Sequence, residues 1–304
     1  MLVLKYSEPT LKARHARARM EAVLVSNVKS ALASAGEKGA RVSKESGVLF
    51  AEAEGGERLL PVLRRVFGVD KAFSAREVPL REEEIFSECV KSAAGFPEGA
   101  SFAVRVRRAW KHLRPSQELA AACGSAIFLG HPEKKLRVDL SSPGREVFVE
   151  LRKEVALVSS GSLDGPGGLP AGCEGKAVCI IDSKRNPILA AWMMAKRGML
   201  PVLLLPTRFK GAKSEAEKLA EWFPGMKLET HETAASGRRE LLLSACSLAG
   251  ETGAAAIVTG DLFGDVSKNG ELRALDEGLP LPVFRPLVGF GGEMLEAYLE
   301  RAGF

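Results

Sequence analysis

GKAVCIIDSKRNPILAAWMMAKRG, residues 175–198, reads as a buried strand, a sharp loop and a helix. In α/β proteins that layout puts a loop and a helix N-terminus where a phosphate is usually held. The loop itself, Asp182-Ser183-Lys184-Arg185-Asn186-Pro187, contains no glycine. Backbone N–H groups close around phosphate oxygens most readily where residues lack a Cβ. The stretch therefore predicts nucleotide architecture with an altered phosphate loop.

C-terminal to this stretch, apolar strands at 201–205, 226–229 and 254–259 alternate with helices at 213–222 and 238–249, and a last helix follows at 293–301. Continuous apolar strands separated by helices predict a doubly wound, mostly parallel sheet, with ligands at the strand carboxyl ends. A second loop, Gly260-Asp261-Leu262-Phe263-Gly264-Asp265-Val266, follows the strand that ends at Thr259. Either its glycines admit a ligand and its aspartates hold a metal or a ribose, or it is a glycine-containing turn with solvated acids.

N-terminal to the stretch, residues 161–175 are rich in Gly and Pro and predict an extended linker without a core of its own. Before it, a helix at 81–94, a strand at 102–107, a helix opened by Ser116 as N-cap, and strands at 136–140, 146–151 and 155–158 form a second segment. The first segment reads strand 2–6, helix 10–34 capped by Thr10, strands 41–43 and 48–53, helix 57–67 and strand 69–76. That β-α-β-β-α-β order is ferredoxin-like. The expected class is α/β and α+β multidomain, with domains at 1–77, 78–162 and 173–304.

Bulk properties narrow the function classes. The 304 residues are 46% hydrophobic and 27% charged, a globular composition. No run of uncharged apolar residues is long enough to span a membrane, and the N-terminus lacks the order of a secretory signal. Five cysteines without a CxxC pair read as reduced thiols, so the expected location is cytoplasmic, with no metal site. The net charge of +5 clusters towards the N-terminus: Lys12, Arg14, His15, Arg17 and Arg19 form one group, and Arg105, Arg107, Arg108, Lys111, His112 and Arg114 surround Trp110. Such clusters suit a polyanion or, equally, a solvated charged face. Trp110 either stacks on an unpaired base or packs within the protein.

GPGGLPAGCEGKAV (165–178), VTGDLFGDV (258–266) and LPVFRPLVG (281–289) resemble three signatures of the tRNA 4-thiouridine synthetase family, also called tRNA sulfurtransferase. The opening KYSEPTLKARHARARMEAVLVSNVKSAL is similar to that family's ferredoxin-like domain, and FAVRVRRAWKHLRPSQELAAACGSAI with VDLSSPGREVFVELRKEVALV resembles its RNA-binding THUMP domain. The likeness runs through nearly the whole chain, in the order ferredoxin-like, THUMP, PP-loop pyrophosphatase. It implies tRNA as partner, with Lys12, Arg14, Arg17, Arg105, Arg107, Arg108, Trp110, Lys111 and Arg114 as RNA-binding residues. It also implies ATP and Mg²⁺ as cofactors, a sulfur-donor or active partner protein, and a homodimer. The family adenylates a uridine carbonyl oxygen, and a persulfide sulfur then displaces AMP.

The resemblance also locates the departures. The family's SGGxDSP falls on Asp182-Ser183-Lys184-Arg185-Asn186-Pro187-Ile188, so both glycines are lost and the acid becomes Asn186. Lys184 and Arg185 either attract a phosphate at the helix N-terminus or are exposed loop charges. Ile180, Ile181, Arg238 and Gly260 match nucleotide-contact positions, and Asn269 stands where the family has Gln. The cysteine pair of archaeal-type members falls on Ala234 and Gly237, and Cys179 and Cys246 read as core residues. The resemblance implies a tRNA-binding protein with impaired or lost sulfur transfer, or alternatively a divergent active sulfurtransferase with an external sulfur donor.

Overall fold

The computed structural model describes residues 1–45, 47–108, 114–267 and 276–304. It divides into two compact units. The first contains Met1–Lys5, Gly39–Pro61 and Lys71–Asp164, and the second contains Tyr6–Lys38, Val62–Asp70 and Gly165–Phe304.

In chain order the elements are β1 (Leu2–Lys5), α1 (Arg14–Ser34), β2 (Arg41–Glu45), β3 (Val48–Glu52), α2 (Leu60–Leu63), β4 (Lys71–Ser74), β5 (Arg76–Pro79), α3 (Glu82–Ser92), β6 (Ser101–Arg108), α4 (Ser116–Gly130), β7 (Arg137–Val138), β8 (Arg145–Leu151), β9 (Val155–Ser160) and β10 (Leu163–Asp164). The rest are β11 (Lys176–Ile180), α5 (Asn186–Lys196), β12 (Leu200–Pro206), α6 (Ala212–Ala220), β13 (Glu229–Thr233), α7 (Arg238–Thr252), β14 (Ala256–Val258), α8 (Phe263–Ser267), β15 (Val283–Phe284) and α9 (Gly292–Ala302).

The first unit holds two sheets. One has the order β10-β4-β1-β3-β2 and is antiparallel throughout, so the ferredoxin-like strand order expected from the sequence is present, with β10 added at its edge. The other, β5-β9-β8-β6-β7, is mixed: β6 runs parallel to β7 and β8. Leu157 of β9 packs with Val3, Phe50 and Phe73, which joins the two sheets in one apolar cluster. Helices α3 and α4 cover the mixed sheet through Ile85, Cys89, Leu119, Cys123 and Ile127.

The second unit is built on the parallel sheet β13-β12-β11-β14-β15. Side chains alternate across it, as strand geometry requires. Ala177, Cys179, Ile181, Leu203, Leu205 and Val258 join the cluster of α5 and α6, whereas Val178, Ile180, Val202, Leu204 and Ile257 join that of α7. The strand order reverses between β11 and β14, which makes their carboxyl ends the switch point where such sheets bind ligands.

Several local expectations are corrected. Thr10 does not cap α1. Its hydroxyl donates to the Ser7 carbonyl (2.5 Å) within a 3-10 turn, Glu8–Leu11, and α1 starts at Arg14. Ser116 lies inside α4 and Pro115 precedes it, because Pro cannot donate and its fixed φ suits a helix start. The strand at 69–76 is two strands: β4 pairs with β1, and β5 crosses to the other sheet and pairs with β9. The strand expected at 226–229 is displaced to β13. Residues 161–175 are no coreless linker. Leu169, Ala171 and Cys173 are buried, and the Asn27 side chain donates to the Ala171 carbonyl (3.1 Å). Among the described residues no helix is long and apolar enough to cross a membrane.

Candidate functional site

Among the described residues, the connection from β11 to α5 carries one of two non-glycine positions with positive φ. Arg185 has φ 63° and ψ −59°, and the Asn186 N–H donates across it to the Lys184 carbonyl (2.8 Å). This is a γ-turn with positive φ at its centre, a rare and strained form. Its neighbours hold it. The Arg185 N–H donates to Glu215 Oε2 (2.9 Å), and the Arg185 guanidinium grips both Glu296 oxygens (3.2 and 2.7 Å). Glu215 is buried on α6, and its other oxygen accepts from Lys218 Nζ (2.8 Å). Ser183 and Lys184 are exposed.

The opposite wall is the second loop. Gly260 is needed for packing, because a Cβ there would lie 2.6 Å from the Pro187 nitrogen at the start of α5. Asp261 accepts from Arg238 Nη2 (2.5 Å), Thr259 Oγ1 (2.8 Å) and Arg285 Nε (3.0 Å), and Arg285 also donates twice to Asp276 (2.7 and 2.8 Å). Asp265 accepts from the Leu262 N–H (2.9 Å). Both aspartates thus serve the protein's own donors, and among the described residues no group of three His, Cys, Asp or Glu is arranged for a metal. Arg238 opens α7, where Glu240 caps the Ser236 and Gly237 N–H groups (3.1 and 3.2 Å).

Ile180, Asp182, Arg238, Leu241, Leu242, Thr259, Asp261 and Arg285 enclose a crevice of about 20 Å³, room for about one water molecule. These residues do not fit ATP in this arrangement: the Arg185 and Asn186 N–H groups and the Arg238 guanidinium are engaged internally and the crevice is too small. Ile180 and Arg238 line this crevice and Gly260 packs against the start of α5, whereas Ile181 faces the α5 side of the sheet. Asn269 lies outside the described residues. Glu215, Glu296 and Arg285 were missed; only Arg285, inside LPVFRPLVG, carried a signal.

Burial, then the Asp261 charge, pushes the Asp182 carboxyl above its ordinary value. The folded chain therefore holds that proton more tightly than the unfolded chain, and stability falls as pH rises from the ordinary to the raised value. Asp182→Asn is expected to raise the thermal midpoint at pH 7, and the gain should vanish below the ordinary value of 3.8. Melting curves across that range check it.

Each unit carries a group of the predicted basic residues. In the first unit, Arg105 bonds Glu146 (2.9 Å) and the Leu140 carbonyl (2.8 Å), Arg107 stands 3.8 Å from Glu150, and Arg114 pairs with Glu82. Arg105 and Arg107 line a pocket of about 140 Å³ with Lys5, Phe73, Phe148 and Ser159. Lys5 was missed because it lies far from the cluster in sequence. Its Nζ sits 5.3 and 5.1 Å from the Phe73 and Phe148 ring centres, and burial lowers its pKa. Arg108 ends β6, and Trp110 and Lys111 lie outside the described residues. In the second unit Lys12 and Arg14 are exposed, while Arg17 bonds Glu21 (2.7 Å).

Four of the five cysteines offer little thiolate. Burial raises Cys179 and Cys246, and burial with the Glu174 charge pushes Cys173 up to about 11. Cys89, hydrogen-bonded to Cys123, is raised as well. Cys179 is a core residue, and Cys246 is partly buried against the α7 side of the sheet.

Residues 1–73 match the ThiI ferredoxin-like domain and residues 81–160 the THUMP domain. A relative from Thermoanaerobacter sp. (strain X514), named "Probable tRNA sulfurtransferase", is 30% identical over 317 residues, covering 95% of this chain and 82% of its own length. A tRNA sulfurtransferase of Pyrobaculum aerophilum is 28% identical over 329 residues, covering 100% of this chain, which spans 66% of that relative. Among solved structures, PH1313 from Pyrococcus horikoshii superposes with TM-score 0.84 at 23% identity, covering 100% of this chain and 99% of its own. A 4-thiouridine synthetase–RNA complex with bound ATP superposes with TM-score 0.79 at 24% identity, covering 99% and 84%. Both share the fold.

Proposed function

Because the chain belongs to the tRNA sulfurtransferase family, we propose that it binds tRNA and that its ATP-dependent sulfur-transfer chemistry is impaired or lost. It acts as an adaptor, or beside an active partner protein. The reading rests on the 182–187 loop, which has no glycine and whose Arg185 N–H is taken by Glu215. Losing the cradle and its acid removes several kcal/mol of transition-state stabilisation, roughly a thousandfold or more in rate. The raised thiols of Cys173, Cys179 and Cys246 support the same reading, because the thiolate is the nucleophile.

The RNA contacts are phosphate contacts from Arg105, Arg107, Arg108 and Arg114, with Lys5 beside them, and from Lys12, Arg14 and Arg17. Lys111 adds a phosphate contact, and Trp110 stacks on an unpaired base. The related synthetase solved with RNA, and the THUMP match, support tRNA as the partner. Binding is expected to weaken steeply with salt, because each neutralised phosphate releases counterions. Arg107→Ala should lower affinity for every tRNA alike and reduce the salt slope by about 1. Filter binding across a salt series checks this, and unchanged binding in Arg107→Ala and Lys111→Ala removes the proposed surface. ATP-dependent thiolation of tRNA by the purified chain, with a persulfide donor, rejects the loss of chemistry.

A second reading, an active divergent sulfurtransferase fed by an external sulfur donor, is favoured by the parallel sheet and by Arg238 and Gly260 at its switch point. Absence of ATP binding at millimolar concentration in calorimetry disposes of it.

A further inference from the structure

We infer that Glu215 is the resident anion of the 182–187 loop and sets its selectivity, keeping pyrophosphate and nucleoside triphosphates from the N-terminus of α5. The inference deepens the proposed loss of sulfur-transfer chemistry and rests on that reading. The β11–α5 connection lies at the strand-order reversal, where a parallel sheet presents backbone donors to a ligand anion. Here two of those donors are taken and a third is missing. Arg185 donates to Glu215 (2.9 Å), Asn186 donates to the Lys184 carbonyl (2.8 Å), and position 187 is proline, which has no N–H.

Glu215 is a built anion rather than a passing surface contact. It is 4% exposed, and its second oxygen is held by Lys218 Nζ at 2.8 Å. A phosphate reaching the Arg185 N–H must either displace this paired carboxylate or sit beside it. The first strips a buried carboxylate of one of its two donors, and the second places like charges at hydrogen-bond distance in a poorly screened site. Glu215 also determines the loop's shape. A non-glycine residue at φ 63° and ψ −59° persists only when its surroundings impose it, and here Glu215 holds the backbone while Glu296 holds the guanidinium. Glu296 touches only the side chain, so it serves as a control on the same residue.

The test compares full-length wild type with Glu215→Ala, Glu215→Gln and Glu296→Ala, using pyrophosphate in calorimetry and amide hydrogen exchange at Arg185. Pyrophosphate affinity should rise at least tenfold in Glu215→Ala and by a smaller factor in Glu215→Gln, which keeps an acceptor but loses the charge. Glu296→Ala should match wild type. The Arg185 amide should lose protection in Glu215→Ala and keep it in Glu296→Ala. Equal pyrophosphate affinity in wild type and the Glu215 variants overturns the inference. So does an equal gain in Glu296→Ala, or an Arg185 amide that stays protected in Glu215→Ala. Should Glu215→Ala not fold, Glu215→Gln decides by the same affinity comparison. tRNA binding, measured in parallel on wild type, separates the two readings: its absence sinks the proposed function, while intact tRNA binding with unchanged pyrophosphate affinity sinks this inference alone.

Discussion

Trp192→Ala is expected to destabilise the second unit by about 3–5 kcal/mol, the largest effect of any single core truncation proposed for this chain. Trp192 is 1% exposed and lies in the cluster formed by α5, α6 and the parallel sheet. Its ring meets Trp222 edge-on (5.4 Å between centroids, 78°) and Phe67 at 5.8 Å and 62°, separations at which aromatic pairs attract beyond their buried area. Its indole Nε1 is buried with no hydrogen-bond partner among the described residues. The cost of truncation is therefore packing and cavity, with no hydrogen bond lost. That makes Trp192→Phe a sharp control, expected to cost well under half as much, because it keeps an aromatic ring and removes an N–H that pays nothing back. Urea unfolding followed by circular dichroism measures both, and a loss below about 1 kcal/mol in Trp192→Ala contradicts the packing described.

Gly168→Ala is expected to cost about 3 kcal/mol, from strain and collision together. Gly168 has φ +76°, and a Cβ there would lie 2.2 Å from the Lys196 carbonyl oxygen. That oxygen cannot simply retreat, because it accepts the Leu169 N–H (2.9 Å) at the end of α5. Gly175, with φ +86° and nothing within 4 Å of a built Cβ, isolates the strain alone. Gly175→Ala should therefore cost about 1–2 kcal/mol, the price of the left-handed backbone. Equal losses at the two positions, in denaturant melts of the full chain, rule out the close approach of residue 168 to α5.

Some of this was readable in residues alone. The continuous apolar run 177–181 identified β11 because a strand covered by helices on both faces is apolar at every position. Pro187 marked the start of α5, one residue late, because proline's φ and missing N–H suit a helix's first turn. The ferredoxin-like order and the parallel sheet followed from such local patterns. Capping was less legible. Thr10 and Ser116 have the right chemistry for N-caps, yet a 3-10 turn and a proline decide those starts.

The pairings that define the site were not legible. Glu215 lies on a different helix from Arg185, and nothing in its own neighbourhood distinguishes it from other helical glutamates. Lys5 enters the Arg105–Arg107 pocket from β1. Residues 161–175 looked like a coreless linker because glycine content reads as freedom in a chain, whereas Gly165 and Gly168 are there to let backbones approach.

The amino-acid sequence by itself determined that the 182–187 loop has no glycine, that a strand and a helix flank it, and that cations cluster in the N-terminal half. These are properties of composition and of spacing along the chain. Only the tertiary structure decided what became of the loop. It placed the Glu215 carboxylate on the Arg185 N–H and the Asp261 carboxylate on Arg238. The physical reason is that a donor and a carboxylate pair only when brought to about 3 Å, and residues distant in sequence reach that distance only through the fold.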